Sequence, residues 1–181
     1  MKNLVFLALS FLASWTLVAQ SSSSGVRISA GYFAPFAIEP GGSLSVDIPL
    51  GNKAYVLRPQ LAVFTNPENH YSILTAASFS RQWYRQKKER WRYHRLGIGL
   101  GYGLQYEQEG LSVSLGDGQI TGRDRVQYDY LFPHLTYGYG RQLGLRWGWY
   151  GQLSVGHQFG MDDKGSMLLN TELGVFYTLN Q

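Results

Sequence analysis

Hydrophobic and polar side chains alternate with a period of two residues through most of the chain after Gly25. Strict alternation of this kind is typical of β-strands whose two faces meet different surroundings, and no long stretch has helical spacing. Near the end of the chain, for example, Leu173 and Val175 lie on one face while Asn170 and Glu172 lie on the other. The pattern therefore predicts an all-β fold.

The alternation breaks into eight candidate strands, and most of them run for about 12 to 15 residues, which is enough to cross a bilayer when tilted. An even number of strands closes a sheet without an edge, and a membrane requires such closure because unpaired backbone groups cannot be solvated there. We therefore expect an eight-stranded antiparallel up-and-down transmembrane β-barrel with both termini on one side. The predicted strands are 25–37, 43–51, 54–65, 70–84, 92–106, 127–141, 145–159 and 166–179.

The predicted connections alternate in length along the chain. Asn52-Lys53 is typical of a two-residue hairpin turn, and Gln142-Leu143-Gly144 of a three-residue turn with a left-handed glycine. The connections on the other side are longer, above all 107–126 and 160–166. If the termini are periplasmic, these long loops face outward from the cell.

Four prolines fall within the predicted strands, namely Pro35, Pro49, Pro59 and Pro133. Proline cannot donate a backbone hydrogen bond, and a closed barrel has no edge strand where the missing donor does no harm. We therefore expect β-bulges near these residues. Each bulge would reverse the facing of the residues that follow it.

The N-terminus has the features of an export signal. Lys2 precedes an apolar run from Leu4 to Val18, which is too short to span a bilayer comfortably. Cleavage after either Ala19 or Ser21 is compatible with the sequence. The predicted organisation is a signal peptide at 1–21 followed by a single barrel domain at 22–181.

Composition narrows the function classes. The chain has no cysteine, which excludes a disulfide framework and a thiolate metal site. The histidines His70, His94, His134 and His157 share no metal-ligand spacing, and Asp162-Asp163 alone is weak support for calcium. We expect no metal and no cofactor.

Basic residues are concentrated in one segment, because seven of the 16 lysines and arginines lie between residues 81 and 95. Aromatic residues interleaved with these charges are typical of a membrane-interface girdle that contacts anionic headgroups. A nucleic-acid surface is the alternative, but an exported protein seldom meets nucleic acid, so none is expected as a partner. The predicted girdle residues are Trp83, Tyr84, Trp91, Tyr93, Trp147 and Trp149.

A charged network is predicted in the barrel interior. The inward positions include Asp47 and Glu172, as well as arginines that must pair with them in a poorly hydrated lumen. Because the Asn52-Lys53 turn sets residue 47 opposite residue 58, we predict an inward Asp47–Arg58 pair. The predicted network consists of Asp47, Arg58, Arg95, Arg146 and Glu172, with Arg27 at an inward position nearby.

Glycine occupies every second position from Gly97 to Gly103. The spacing does not match a phosphate-binding loop and no helix follows. Glycines at these inward positions instead leave space for bulky side chains of a neighbouring strand, with Tyr128, Tyr130 and Phe132 as the candidates.

The strand pattern from about Gly25 to Gln181 resembles the small outer-membrane β-barrel proteins of the OmpA-like and OmpX-like class. The resemblance implies residence in the cell outer membrane, contact with outer-membrane lipids and insertion by the barrel assembly machinery. It departs from that class at the C-terminus, where Tyr177 is followed by four further residues. Unlike the two-domain OmpA pattern, the chain is expected to lack a peptidoglycan-binding domain.

Three functions remain open. The first is a non-catalytic barrel that anchors loops 107–126 and 160–166 for envelope structure or for contact with an envelope or extracellular partner. The second is a lipid-modifying enzyme similar to the lipid A deacylases, for which His134-x-Thr136 is the nearest match to their histidine and serine. The third is a soluble lipocalin-like carrier, which would turn Trp147, Trp149 and Leu173 inward.

Overall fold

Long antiparallel strands account for nearly all of the described chain. The computed structural model describes residues 25–35, 39–51, 54–66, 70–87, 90–108, 112–113, 120–121, 125–160 and 166–179. Within these ranges no helix is long and apolar enough to cross a membrane. The strands are β1 Arg27–Pro35, β2 Gly41–Leu50, β3 Tyr55–Asn66, β4 His70–Lys87, β5 Arg90–Gln108, β6 Ser112–Val113, β7 Ile120–Thr121, β8 Arg125–Gln142, β9 Trp147–Gln158 and β10 Ser166–Thr178.

Eight of these strands form a closed barrel in the order β1-β10-β9-β8-β5-β4-β3-β2. The first strand pairs antiparallel with the last, so Arg27 lies opposite Thr178 and the sheet has no open edge. The predicted eight-stranded antiparallel barrel is therefore confirmed. The short strands β6 and β7 pair with each other in the connection between β5 and β8, and the sequence pattern did not reveal them.

The two faces of the barrel wall differ in the sense that the alternation predicts. Outward-pointing side chains are apolar and exposed, including Leu173 at 62% and Trp147 at 57% exposure. Inward-pointing side chains on the same strands are polar and buried, including Asn170 at 3% and Glu172 at 5%. A soluble carrier requires the opposite facing, because its apolar side chains would line the interior.

The expected bulges at the prolines are absent from the described pairings. Ser45 lies opposite Gln60 and Ile48 opposite Leu57, so the β2–β3 register is the same on both sides of Pro59. Across Pro133 the register is likewise unchanged, since Leu131 bridges Phe159 and His134 lies opposite Gly156. The prediction of bulges was wrong because each proline removes one donor without adding a residue to the strand.

The turns between strands are longer than predicted. Strands β2 and β3 are joined by residues 51–54, and Gly51 has a φ of 56°, a left-handed conformation that favours glycine. Asn52 and Lys53 lie outside the described residues. Strands β8 and β9 are joined by the four residues 143–146, and Trp147 O accepts the backbone N–H of Leu143 at 2.9 Å. Gly144 is not left-handed, so the predicted three-residue turn was wrong.

Buried side chains occupy the barrel interior at several heights. An apolar cluster fills the end nearest the long loops, and a second one, made of Tyr93, Tyr150 and Phe176, lies towards the end that carries the short turns and the termini. Tyr130 lies across Gly103, where a Cβ would overlap its ring, so the predicted role of that glycine is confirmed. The first cluster contains Phe33, Ala62, Phe64, Leu74, Tyr130, Phe132 and Leu168.

Candidate functional site: a charged layer inside the barrel

Asp47 on β2 is the centre of a charged layer between the two apolar clusters. Its Oδ1 lies 3.2 Å from Arg58 Nη1 and 3.0 Å from Arg95 Nη1, and its Oδ2 lies 3.5 Å from Arg27 Nε. Asp47 and Arg58 thus form an inward pair at the register given by the β2–β3 hairpin. The carboxylate is shielded from solvent entirely, with 0% exposure. Three cations therefore surround one buried anion.

Glu172 on β10 is the second anion of the layer. Arg58 Nη2 donates to both of its carboxylate oxygens at 3.1 Å, which links the two acids through one guanidinium. Tyr150 donates its hydroxyl to Glu172 at 2.6 Å, and Gln60 donates its amide at 3.2 Å. Together these charge-assisted hydrogen bonds satisfy the acceptor oxygens of a carboxylate that water does not reach.

Aromatic rings and glutamines complete the surroundings of the three arginines. Arg27 lies 4.5 Å from the Tyr93 ring centre, and Arg58 lies 4.8 Å from that of Tyr150. Arg27 also donates to Gln82, and Arg95 donates to Gln152. These aromatic and amide partners were not among the residues predicted for the layer, although each lies at an inward position of its strand and could have been found by that criterion.

The layer joins residues from seven of the eight barrel strands. Its acids and arginines come from β1, β2, β3, β5 and β10, its glutamine partners from β4 and β9, and all of its charged members are at most 6% exposed. The three arginines outnumber the two acids by one positive charge. Buried charges that are this well paired stay in place, since removal of one partner leaves another unpaired. The ion pairs therefore link strands from opposite sides of the lumen at this level.

Arg146 does not belong to this layer, contrary to the prediction. It lies in the turn between β8 and β9 and is exposed, and its Nη1 donates to Tyr177 Oη at 3.0 Å. The alternation gives Arg146 an inward position, but the wall of the barrel ends before it. A side chain beyond the wall has no lumen to enter.

Only part of the predicted girdle points outward. Trp83, Trp147 and Trp149 lie on the outer face. Arg81 Cζ lies over the Trp83 ring, 5.6 Å from its centre. Tyr93 is 3% exposed and lines the lumen, which corrects its predicted position.

Two further predicted girdle residues belong to the inner face. Tyr84 lies directly opposite Tyr93, and Trp91 lies two residues before Tyr93 on β5, so both occupy inward positions at the mouth of the barrel. Their rings are 6.3 Å apart in an edge-on arrangement. The prediction treated all four aromatic residues of this hairpin alike, whereas neighbouring residues on a strand point in opposite directions.

His134 and Thr136, the two residues of the enzyme hypothesis, contact other residues of the barrel interior. His134 stacks on Phe132 with ring centres 4.8 Å apart, and its Nδ1 lies 3.1 Å from Phe132 O. Thr136 accepts a hydrogen bond from Ser154 at 3.2 Å. Among the described residues no acidic side chain contacts either group, and both point into the lumen.

Some predicted features lie beyond the described residues. These are the signal peptide at 1–21, the Asp162-Asp163 pair and most of loops 107–126 and 160–166.

Solved structures of small membrane barrels share this architecture. The chain superposes on the crystal structure of Neisserial surface protein A with a TM-score of 0.61 and 11% identity, over 87% of this chain and 98% of that one. It superposes on the N-terminal β-barrel domain of Pseudomonas aeruginosa OprF with a TM-score of 0.55 and 17% identity, over 86% and 98%. No family model and no curated protein matches the sequence. The fold is that of the small eight-stranded outer-membrane β-barrels.

Proposed function

We propose that this chain is a non-catalytic outer-membrane barrel that holds its long loops at the cell surface, where they serve envelope structure or bind an envelope or extracellular partner. The observation that carries the proposal is the combination of an apolar outer face with an interior crossed by buried ion pairs. Such a molecule is suited to anchoring, because apolar clusters and ion pairs occupy an interior that in eight-stranded barrels is just wide enough for side chains.

The outer face supports residence in a membrane. Leu96, Ile98 and Leu100 on β5 are each at least 55% exposed, and Leu135 on the adjoining β8 is 57% exposed. Apolar side chains exposed in this way extend around the whole barrel, whereas soluble proteins rarely expose contiguous apolar patches beyond a few hundred Å². A bilayer removes the cost of this exposure because the side chains then contact lipid.

The filled interior directs function to the loops. A barrel of eight strands has just enough internal space for its own side chains. The charged layer around Asp47 and the apolar cluster above it occupy that space. Loops 107–126 and 160–166 are then the surfaces that remain for recognition.

Export and assembly complete the proposal. Residues 1–21 act as a signal peptide cleaved after Ala19 or Ser21, and the barrel assembly machinery inserts the mature chain into the outer membrane. The solved structures of similar fold are outer-membrane barrels and so support this location.

Electrophoretic mobility of the extracted outer-membrane fraction, with and without boiling, tests the proposal. A closed barrel resists detergent until it is heated, so we expect the protein in this fraction and a shift on boiling. A variant with residues 109–124 replaced by Asn-Gly should keep the shift, since the replaced residues lie outside the barrel strands. Recovery of the wild-type chain from the soluble periplasmic fraction, without a shift, would contradict the proposal.

A further inference from the structure

Three arginines stand side by side on the outer face of the barrel, near the end that carries the short turns. Arg85 on β4 lies directly opposite Arg92 on β5, and Arg92 lies directly opposite Arg141 on β8. Each lies two residues from an outward side chain of its own strand, namely Trp83, His94 or Tyr139, and so points outward as well. Directly paired residues have Cβ atoms about 5 Å apart, so three positive charges share a small area.

No anion of the described chain neutralises this row. The ion pairs among the described residues involve Arg27, Arg58, Arg95 and His70, and none includes the three arginines of the row. Arg141 Nε is buried and has no hydrogen-bond partner. Like charges directly opposite each other destabilise a sheet. The row therefore carries positive charge that no ion pair among the described residues neutralises.

An aromatic surface adjoins the row, with His94 and Tyr139 on the side of the membrane interior and Trp149 directly opposite Arg141. Tyr139 contacts His94 with ring centres 5.0 Å apart and Trp149 with ring centres 5.5 Å apart. His94 Nδ1 also lies 2.8 Å from Tyr137 Oη. Beyond these rings the outward side chains of β5 and β9 are apolar, beginning with Leu96 and Leu153, whereas on β4 the outward Arg81 lies opposite Leu96. Along β5 and β8, charge, aromatic ring and hydrocarbon contact thus follow one another towards the membrane interior.

We propose that the Arg85–Arg92–Arg141 row binds the phosphodiester headgroup of an anionic phospholipid, with the glycerol region against His94, Tyr139 and Trp149 and the acyl chains along the apolar wall. Guanidinium groups suit phosphate oxygens because they donate in a fixed planar geometry. The order of chemistries along the wall matches the order within a phospholipid, whereas a free phosphate would use only the arginines. This inference rests on the proposed membrane residence of the barrel.

Native mass spectrometry of the purified barrel in detergent tests the proposal. The protein is mixed with phosphatidylglycerol, with phosphatidylethanolamine of the same acyl chains, or with inorganic phosphate alone. We expect the wild-type chain to retain phosphatidylglycerol about tenfold better than phosphatidylethanolamine. The R85Q/R92Q/R141Q variant should lose this preference.

A matched control removes three positive charges elsewhere. R123Q/R125Q/K164Q has the same change in net charge but substitutes residues of segments 107–126 and 160–166, which do not include the row, so it should keep the preference. R141Q alone should reduce the preference by about threefold, which keeps the test informative if the triple variant does not fold. Boiling-dependent mobility reports folding of every variant before lipid is added.

The outcomes separate the two proposals. Equal retention of both lipids by the folded wild type, or an unchanged preference in the folded triple variant, would overturn the headgroup site. Phosphate adducts that match the phosphatidylglycerol adducts would reduce the site to an anion site without lipid specificity and likewise overturn it. A wild-type chain that lacks the mobility shift and stays soluble would instead contradict the membrane barrel itself.

Discussion

Arg58 Nη2 lies 3.1 Å from Glu172 Oε2, although the two residues belong to strands that are not neighbours. Arg58 is on β3 and Glu172 on β10, and both β2 and β1 separate them in the barrel. The contact therefore crosses the lumen and does not follow the wall. It exists only when the sheet has closed, so the ion pair reports closure of the barrel.

Substitution of Asp47 should be the most costly change in the charged layer. Asp47→Asn removes the anion that faces Arg27, Arg58 and Arg95, and an uncompensated buried charge costs about 3 to 5 kcal/mol of unfolding free energy. Glu172→Gln should cost less, since a single arginine pairs with that carboxylate. Urea unfolding in detergent micelles measures the unfolding free energy of both variants.

Ser45→Ala is the control for these variants. Ser45 lies two residues from Asp47, points inward, and has a buried hydroxyl with no partner. Its removal should change the unfolding free energy by less than about 0.5 kcal/mol. Similar losses of unfolding free energy in Asp47→Asn and Ser45→Ala would contradict the special role of the charged layer.

Gly103→Ala should destabilise the barrel by overpacking. A Cβ at this position would overlap the Tyr130 ring, and insertion of a methyl group into a filled core costs about 1 to 3 kcal/mol. Gly42→Ala is the matched control, because a Cβ there has nothing within 4 Å. The midpoint of thermal unfolding, read from gel mobility, should fall only for Gly103→Ala. Equal midpoints for the two variants would refute the packing argument.

A charge on the outer face should report the surrounding bilayer. Leu173→Arg places a guanidinium near the middle of β10, where transfer into lipid costs about 2 to 4 kcal/mol. Leu145→Arg places the same group in the turn between β8 and β9, at a residue that is 83% exposed, and should cost little. Folding into lipid vesicles measures the difference. If Leu173→Arg folds as well as Leu145→Arg does, this face does not contact lipid.

Substitution of His134 or Thr136 should leave lipid A chemistry unchanged. Both side chains point into the lumen, where His134 stacks on Phe132 and Thr136 pairs with Ser154, so a lipid outside the wall does not reach them. Mass spectrometry of lipid A from cells that express wild type, His134→Ala or Thr136→Val gives the acyl pattern. A difference between these patterns, with the mobility shift intact, would revive the enzyme hypothesis.

Several features of the barrel follow from the sequence because they depend on local geometry. Side chains on a strand alternate between two faces, so Leu173 and Glu172 could be assigned outward and inward from their spacing alone. A short hairpin likewise sets its own register, which is why Asp47 and Arg58 could be placed opposite each other. The same alternation separates Trp83 from Tyr84, and applying it to the whole basic hairpin would have placed Tyr84, Trp91 and Tyr93 inside.

The remaining features depend on closure and on where the wall ends. Alternation predicts that Arg146 points inward, but only the structure shows that β9 begins at the next residue, Trp147, so that Arg146 belongs to the turn. The row of Arg85, Arg92 and Arg141 needs the β5–β8 register, which a long connection leaves open in the sequence. Contact between Arg58 and Glu172 needs the stagger of all eight strands, because the stagger sets the height at which residues from distant strands meet. Local alternation thus determined the two faces of each strand, whereas the closed barrel decided which inward side chains share a level.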